Sequence, residues 1–68
     1  MLGEVKWFSN SRGFGFIKSL EPNDDREFFV HYLNIDNEGY KTLDTGQKVE
    51  FEAIDTPRGI QAGHVRPI

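Results

Sequence analysis

The sequence predicts an all-β chain that closes into a small five-stranded antiparallel barrel. Three observations carry this. Glycine and proline punctuate the 68 residues every ten or so, and no helical pattern of convincing length lies between them. Gln47 to Ile54 alternates Val49, Phe51 and Ala53 against Lys48, Glu50 and Glu52, the period of a half-buried strand. Five short strands are also too few for an ordinary two-sheet sandwich, whereas closure covers most of the edges.

The elements follow in order. GEVKWFSN, Gly3 to Asn10, is the first strand, and Ser9-Asn10-Ser11 supplies turn chemistry. Arg12 to Ser19 is the second. Glu21-Pro22-Asn23-Asp24-Asp25 is a turn or short loop, and Glu27 to His31 the third strand. Tyr32 to Thr45 has little periodicity, with room for a single helical turn near Leu33 to Ile35 and a turn at Asn37-Glu38-Gly39. Gln47 to Ile54 is the fourth strand. Asp55-Thr56-Pro57-Arg58-Gly59 turns the chain into the fifth, Ile60 to Val65. The length allows one domain, 1–68, without repeat or linker. Both an OB-type and an SH3-like barrel fit this pattern.

Strand side chains alternate between faces. In RGFGFI, Arg12 to Ile17, Phe14 and Phe16 share one face and Gly13, Gly15 and Ile17 the other. In the third strand Phe28 and Val30 oppose Phe29 and His31. Burying His31 requires a hydrogen-bond partner or a neutral ring, whereas burying Phe28 and Val30 does not. If these strands pair, Ile17, Phe28 and Val30 point inwards. Phe14, Phe16, Phe29 and His31 then point outwards, and the glycines let the sheet curve. An exposed aromatic set suits stacking of unpaired bases, although a groove for proline-rich peptide also uses aromatics. By strict alternation Trp7 falls with Val5 on the buried side.

Charge and composition narrow the classes further. Net charge is −3, from eleven acidic and eight basic residues, against the basic balance usual for nucleic-acid binders. The acids bunch in Glu21–Glu27, Asp36–Asp44 and Glu50–Asp55 and read as solvated faces. Lys6 and Arg12 flank the aromatic cluster with no acid between them in sequence, which allows a local positive rim. There is no cysteine and there are only two histidines, so neither a disulfide, a thiol site nor a zinc site of the usual kind is expected. Ser9, Ser11 and Ser19 lie in no nucleophile motif, and His31 has no orienting carboxylate nearby in sequence. Gly13 and Gly15 lack the third glycine and following helix of a phosphate loop. Neither catalysis nor a cofactor is expected. No apolar run nears a membrane span and the N-terminus lacks signal-peptide regions, so a soluble, cytoplasmic protein is expected.

KWF at Lys6–Phe8, RGFGFI at Arg12–Ile17 and FFVHY at Phe28–Tyr32, followed in order by GYKTL at Gly39–Leu43 and RGIQA at Arg58–Ala62, resemble the bacterial cold-shock proteins over essentially the whole chain. RGFGFI and FFVHY are similar to that family's two ribonucleoprotein motifs. The resemblance implies an OB-fold barrel that binds single-stranded RNA and DNA as an RNA chaperone, with effects on transcription termination and translation. It implies a stacking set of Trp7, Phe14, Phe16, Phe29, His31, Tyr32 and Tyr40. Lys6, Arg12 and Arg58 match basic positions bordering that surface, and Phe8 and Gln61 match positions at its edge. A weak pyrimidine preference and a monomer are expected. On this basis Trp7 faces the ligand, which a bulge in the first strand would reconcile with alternation. The chain departs from the family pattern where Tyr32 and Tyr40 replace phenylalanine, Ile60 proline, His64 asparagine and Phe28 valine. Its Lys18–Glu27 loop is also longer.

Overall fold

In the computed structural model, which describes residues 1–36, 39 and 41–68, the chain forms five strands: β1 (Leu2–Ser9), β2 (Phe14–Ser19), β3 (Glu27–His31), β4 (Lys48–Thr56) and β5 (Gly59–Pro67). A single 3-10 turn, Tyr32–Asn34, follows β3, close to the one predicted. The strands close into a barrel in the order β1-β2-β3-β5-β4. All pairings are antiparallel except β3 with β5, a parallel contact at Phe29 and Gln61 that closes the ring. A second parallel bridge, Ile35 to Val65, ties the segment after the 3-10 turn to the same strand.

The second strand begins at Phe14, two residues later than Arg12. Asn10 to Gly13 instead forms the turn, held by the Gly13 N–H donating to the Ser9 carbonyl at 2.7 Å. Gly13 sits at φ 79°, a left-handed conformation that glycine adopts without a Cβ penalty. Gly15 has a different task. A Cβ there would lie 2.2 Å from the Trp7 carbonyl oxygen, so β1 and β2 approach closely only because the side chain is missing.

The core is the inward set of every strand: Val5, Ile17, Phe28, Val30, Ile35, Leu43, Val49, Phe51, Ala62 and Val65. Phe28 and Phe51 meet edge to face at 5.0 Å between centroids, so the larger residue at position 28 has an aromatic partner inside the barrel. Ala53, expected inside by alternation, is exposed. The β4–β5 register shifts between Glu50 and Glu52, and the strand beyond runs out past the core. The extra residue of that shift lies in β5, where Arg66 opposes Glu50 but Gly63 opposes Glu52. His64 occupies the bulge at φ 49°, a conformation that asparagine and histidine tolerate better than most side chains. Its Nδ1 lies 3.0 Å from Asp36 Oδ2.

The long β2–β3 loop folds back on the barrel end. Ser19, buried, accepts the Glu21 N–H at 3.1 Å, and Ser19 N–H reaches the Arg26 carbonyl at 3.0 Å. Arg26 forks onto Asp24 at 2.9 and 3.0 Å, and its guanidinium lies 5.1 Å from the Phe28 ring centroid. Through these hydrogen bonds Arg26 holds the Asp24 carboxyl well below the usual carboxylate range. The β4–β5 turn, Pro57–Arg58, is braced by Thr56, whose hydroxyl donates to the Gly59 carbonyl at 2.6 Å and accepts the Arg58 N–H at 3.2 Å. Ile60, without a proline ring, packs its side chain against the core instead.

Candidate nucleic-acid interface

The outer face of the β2–β3 hairpin is aromatic because its register pairs like with like. Phe14 opposes His31 and Phe16 opposes Phe29, while Gly15 opposes Val30 and Ile17 opposes Phe28 on the inner side. Phe14 and Phe29 stack at 5.6 Å between centroids with planes 25° apart, and Phe16 meets Phe29 edge-on at 5.9 Å. None of these rings is buried like the core, yet each shields its neighbours, so the cluster is stable in water while leaving π-faces open.

Trp7 joins them through a bulge. Val5 pairs with Ile17 but Trp7 pairs with Phe16, so Lys6 is the extra residue and the alternation of β1 resets by one. The bulge is anchored by Val5, whose carbonyl accepts the Gly46 N–H at 2.7 Å and whose N–H donates to the Gln47 carbonyl at 2.9 Å. Trp7 is therefore 40% exposed rather than buried, and lies 5.7 Å from Phe14 and 5.5 Å from Phe16. Phe8, one residue on, pairs with Gly15 and packs half-buried against the core below the aromatic face.

His31 and Tyr32 extend the row beyond β3, with ring centroids 4.5 Å apart. His31 caps the 3-10 turn: its Nδ1 accepts the Leu33 N–H at 3.3 Å, which satisfies the ring without burying it. The Tyr32 ring lies over Gly13, where a Cβ would come within 2.7 Å of it, and the ring remains 42% exposed. Tyr40 lies outside the described residues.

The basic residues are distributed unevenly. Lys6 is engaged, its Nζ 2.7 Å from Glu27 Oε2 with both side chains about half exposed. The sequence interval between Lys6 and Arg12 holds no acid, but β3 brings one alongside through β2, since Lys18 opposes both Glu4 and Glu27. Arg12 makes no side-chain ion pair among the described residues. It lines a cleft of about 390 Å3 with Asn10, Ser11, Gly13, Tyr32, Gly39 and Lys41. Arg58 and Gln61 line a smaller cleft of about 220 Å3 with Phe29 and Ile60. Sequence reasoning did not place Asn10, Ser11 or Lys41 in the site, since they carry no local signal. Among the described residues no cluster of three or more potential metal-ligating side chains forms, and no helix is long and apolar enough to cross a membrane.

A closed five-stranded barrel with an aromatic outer hairpin face and cations at its rim defines a nucleic-acid-binding β-barrel of the OB class. The family model 'Cold-shock' DNA-binding domain matches residues 1–68. The chain is 54% identical over 63 residues to the cold shock-like protein CspLB of Listeria monocytogenes, covering 93% of this chain and 91% of that one. It is 51% identical over 63 residues to cold shock protein CspD of Bacillus subtilis, with the same coverage. It is 48% identical over 64 residues to a cold shock-like protein of Aquifex aeolicus, covering 94% and 89%. The chain belongs to the cold-shock domain family, and its function is that of a nucleic-acid-binding cold-shock protein.

Proposed function

We propose that this protein binds unpaired RNA and DNA by stacking bases on Trp7, Phe14, Phe16, Phe29, His31, Tyr32 and Tyr40. Phe8 and Gln61 lie at the margin, and Lys6, Arg12 and Arg58 meet phosphates. The carrying observation is the paired register of Phe14 with His31 and Phe16 with Phe29, joined by the bulge that exposes Trp7. A duplex keeps its bases stacked on one another and offers this face little, so single strands are the substrate. Trapping unpaired segments opposes RNA secondary structure, which is chaperone activity without catalysis. Effects on transcription termination and translation follow from the same trapping. Stacking tolerates every base, so sequence preference is weak and tilts towards pyrimidine runs. The proposal includes a cytoplasmic monomer that acts as one domain over 1–68 and needs no cofactor.

The test is the intrinsic fluorescence of Trp7. Short oligothymidine should quench it, and a duplex of the same sequence should quench it far less. A free tryptophan analogue serves as control for trivial absorption. Equal binding of duplex and single strand would overturn the stacking mechanism. Quenching by proline-rich peptide with no response to oligonucleotide would favour a peptide-binding barrel instead.

A further inference from the structure

The aromatic face has two ends. His31 and Tyr32 form one; Trp7, Phe16 and Phe29 form the other, and the strands run on past them. Two residues further along β2, on the same outward side, stands Lys18, about 7 Å from Phe16 by the rise of a strand. Lys18 is exposed and makes no ion pair among the described residues. Yet it stands between two carboxylates, Glu4 on β1 and Glu27 on β3. Both are engaged by other cations. Glu27 holds Lys6 Nζ at 2.7 Å, and Glu4 holds Lys48 Nζ at 3.0 Å. Glu21, at the start of the β2–β3 loop, takes the Leu2 N–H at 2.7 Å. The ladder Glu27–Lys18–Glu4–Lys48 thus crosses four strands, and with Lys6 it carries three ammonium groups to two carboxylates. That is a local positive excess on a chain whose net charge is −3.

We propose that Lys18 is a phosphate subsite that lengthens the single-strand track by one contact beyond the aromatic platform. The proposal rests on the stacking function set out above. A strand whose bases lie on Trp7, Phe16 and Phe29, and which continues along β2, brings its next phosphate to Lys18. An ammonium offers three N–H donors to an anion, and neutralising one phosphate releases condensed counterions. Lys6 and Lys48 keep the flanking carboxylates paired, so the phosphate meets a cation rather than an acidic fringe. The subsite is blind to base identity. An ammonium acts as a point charge, and the outward neighbours of Lys18 across the sheet are carboxylates, not rings. The track also stops there. The next outward residues towards the barrel end are Leu2 and Leu20, both exposed and apolar, with the Leu20 N–H on the Leu2 carbonyl at 2.9 Å. Hydrocarbon side chains offer a phosphate no donor, so the gain is a single contact.

The experiment is a set of Trp7 quenching titrations with oligothymidines of increasing length, in wild type, Lys18→Met and Glu4→Gln. In wild type the last step in affinity with length should be up to about fivefold at low salt, the worth of one exposed ion pair. It should steepen the salt slope by roughly 0.7. Lys18→Met should remove that step and leave shorter strands near wild type; Lys18→Gln serves if the methionine variant does not fold. Glu4→Gln removes a flanking carboxylate and should enlarge the step, a change of opposite sign that a general loss of structure does not produce. A neutral methylphosphonate at one of the two terminal linkages should erase the step in wild type and do nothing further in Lys18→Met. An abasic terminal nucleotide should leave the step intact. Identical length curves in wild type and Lys18→Met overturn the inference, and so does a step that needs the terminal base. An equal loss at every length overturns it too, by making Lys18 part of a diffuse field. Normal binding of short strands without a Lys18-dependent step overturns this inference alone, whereas failure of every single strand to bind removes the stacking function with it.

Discussion

The two faces of the β2–β3 hairpin are made of the same kinds of residue and do opposite work. Inside, Ile17, Phe28 and Val30 are fully buried, and Phe28 meets Phe51 edge to face. Outside, Phe14 and Phe29 stack, Phe16 meets Phe29 edge-on, and Trp7 packs against Phe14 and Phe16, yet the rings stay half-open. Hydrophobicity does not distinguish Phe28 from Phe29, which are neighbours in the chain. The difference is what lies across from them: a closed barrel interior on one side, water and cations on the other. The same side chain then stabilises the fold in one place and stores binding surface in the next.

The comparison is broken most severely from the inside. Phe28→Ala removes a fully buried ring and should cost about 3–5 kcal/mol of stability, measured by denaturant unfolding. Wherever that variant remains folded, oligonucleotide affinity should stay near wild type. A stable Phe28→Ala protein would mean that the two faces have been assigned in reverse.

Cutting the outer rings should do the converse. Phe14→Ala, Phe16→Ala and Phe29→Ala should each lose about 1–3 kcal/mol of binding, the worth of one stacked base. Each should unfold at a denaturant midpoint closer to wild type than that of Phe28→Ala. Calorimetric titration beside unfolding curves separates the two effects. Collapse of the fold in Phe16→Ala would make the outer cluster a second core rather than a platform.

The charged rim sharpens the picture by a smaller amount. Each phosphate neutralised on a single strand contributes roughly −0.7 to the slope of log affinity against log salt, so three rim cations give about −2. Arg12 has no ion-pair partner among the described residues, and Arg12→Ala should flatten the slope by about one contact. Lys6 must first leave Glu27, so Lys6→Ala should change the slope less than Arg12→Ala does. Equal changes would show that the Lys6–Glu27 pair opens freely in the complex.

The smallest effect concerns acid. Hydrogen bonds from Arg26 lower the folded-state pKa of Asp24, so the native state favours the ionised carboxylate more than the unfolded chain does. Such a group stabilises the fold at pH above its unfolded value, about 3.9, and that contribution is lost as pH falls further towards the folded value. Wild type should therefore be more stable than Asp24→Asn at neutral pH, with the gap closing only below about pH 4. Thermal melts of both proteins between pH 6 and 2 measure it. A gap that closes at higher pH would assign the acid sensitivity to another group.

Much of the architecture is legible in the chain because local rules agree with the fold. The alternation in RGFGFI and FFVH is enough to separate inner from outer residues, since one face of each strand is filled by groups that bury at no cost. The turn residues bound all five strands to within a residue or two. The family resemblance supplies candidate site residues that periodicity alone does not, among them Arg58 in the β4–β5 turn and Gln61 in β5, both distant in sequence. Where alternation misleads, at Trp7 and Ala53, a register shift is the cause. A bulge has no fixed sequence mark, because it is a compromise between two strands that need different lengths to keep their pairing.

By itself the sequence determined the class of fold, the inward set Ile17, Phe28, Val30, Val49 and Phe51, and the aromatic character of the outer hairpin face. These depend on the period of two along a strand and on the free energy of burying apolar groups, and both are local or additive. Only the tertiary structure decided that Glu27 pairs with Lys6, that Gly15 is required by the Trp7 carbonyl, and that the Thr42 hydroxyl donates to Asn10 Oδ1 across the chain. Those contacts join residues between 8 and 32 positions apart. Closing the barrel brings them together, and no pattern within one strand encodes which side chain will stand opposite.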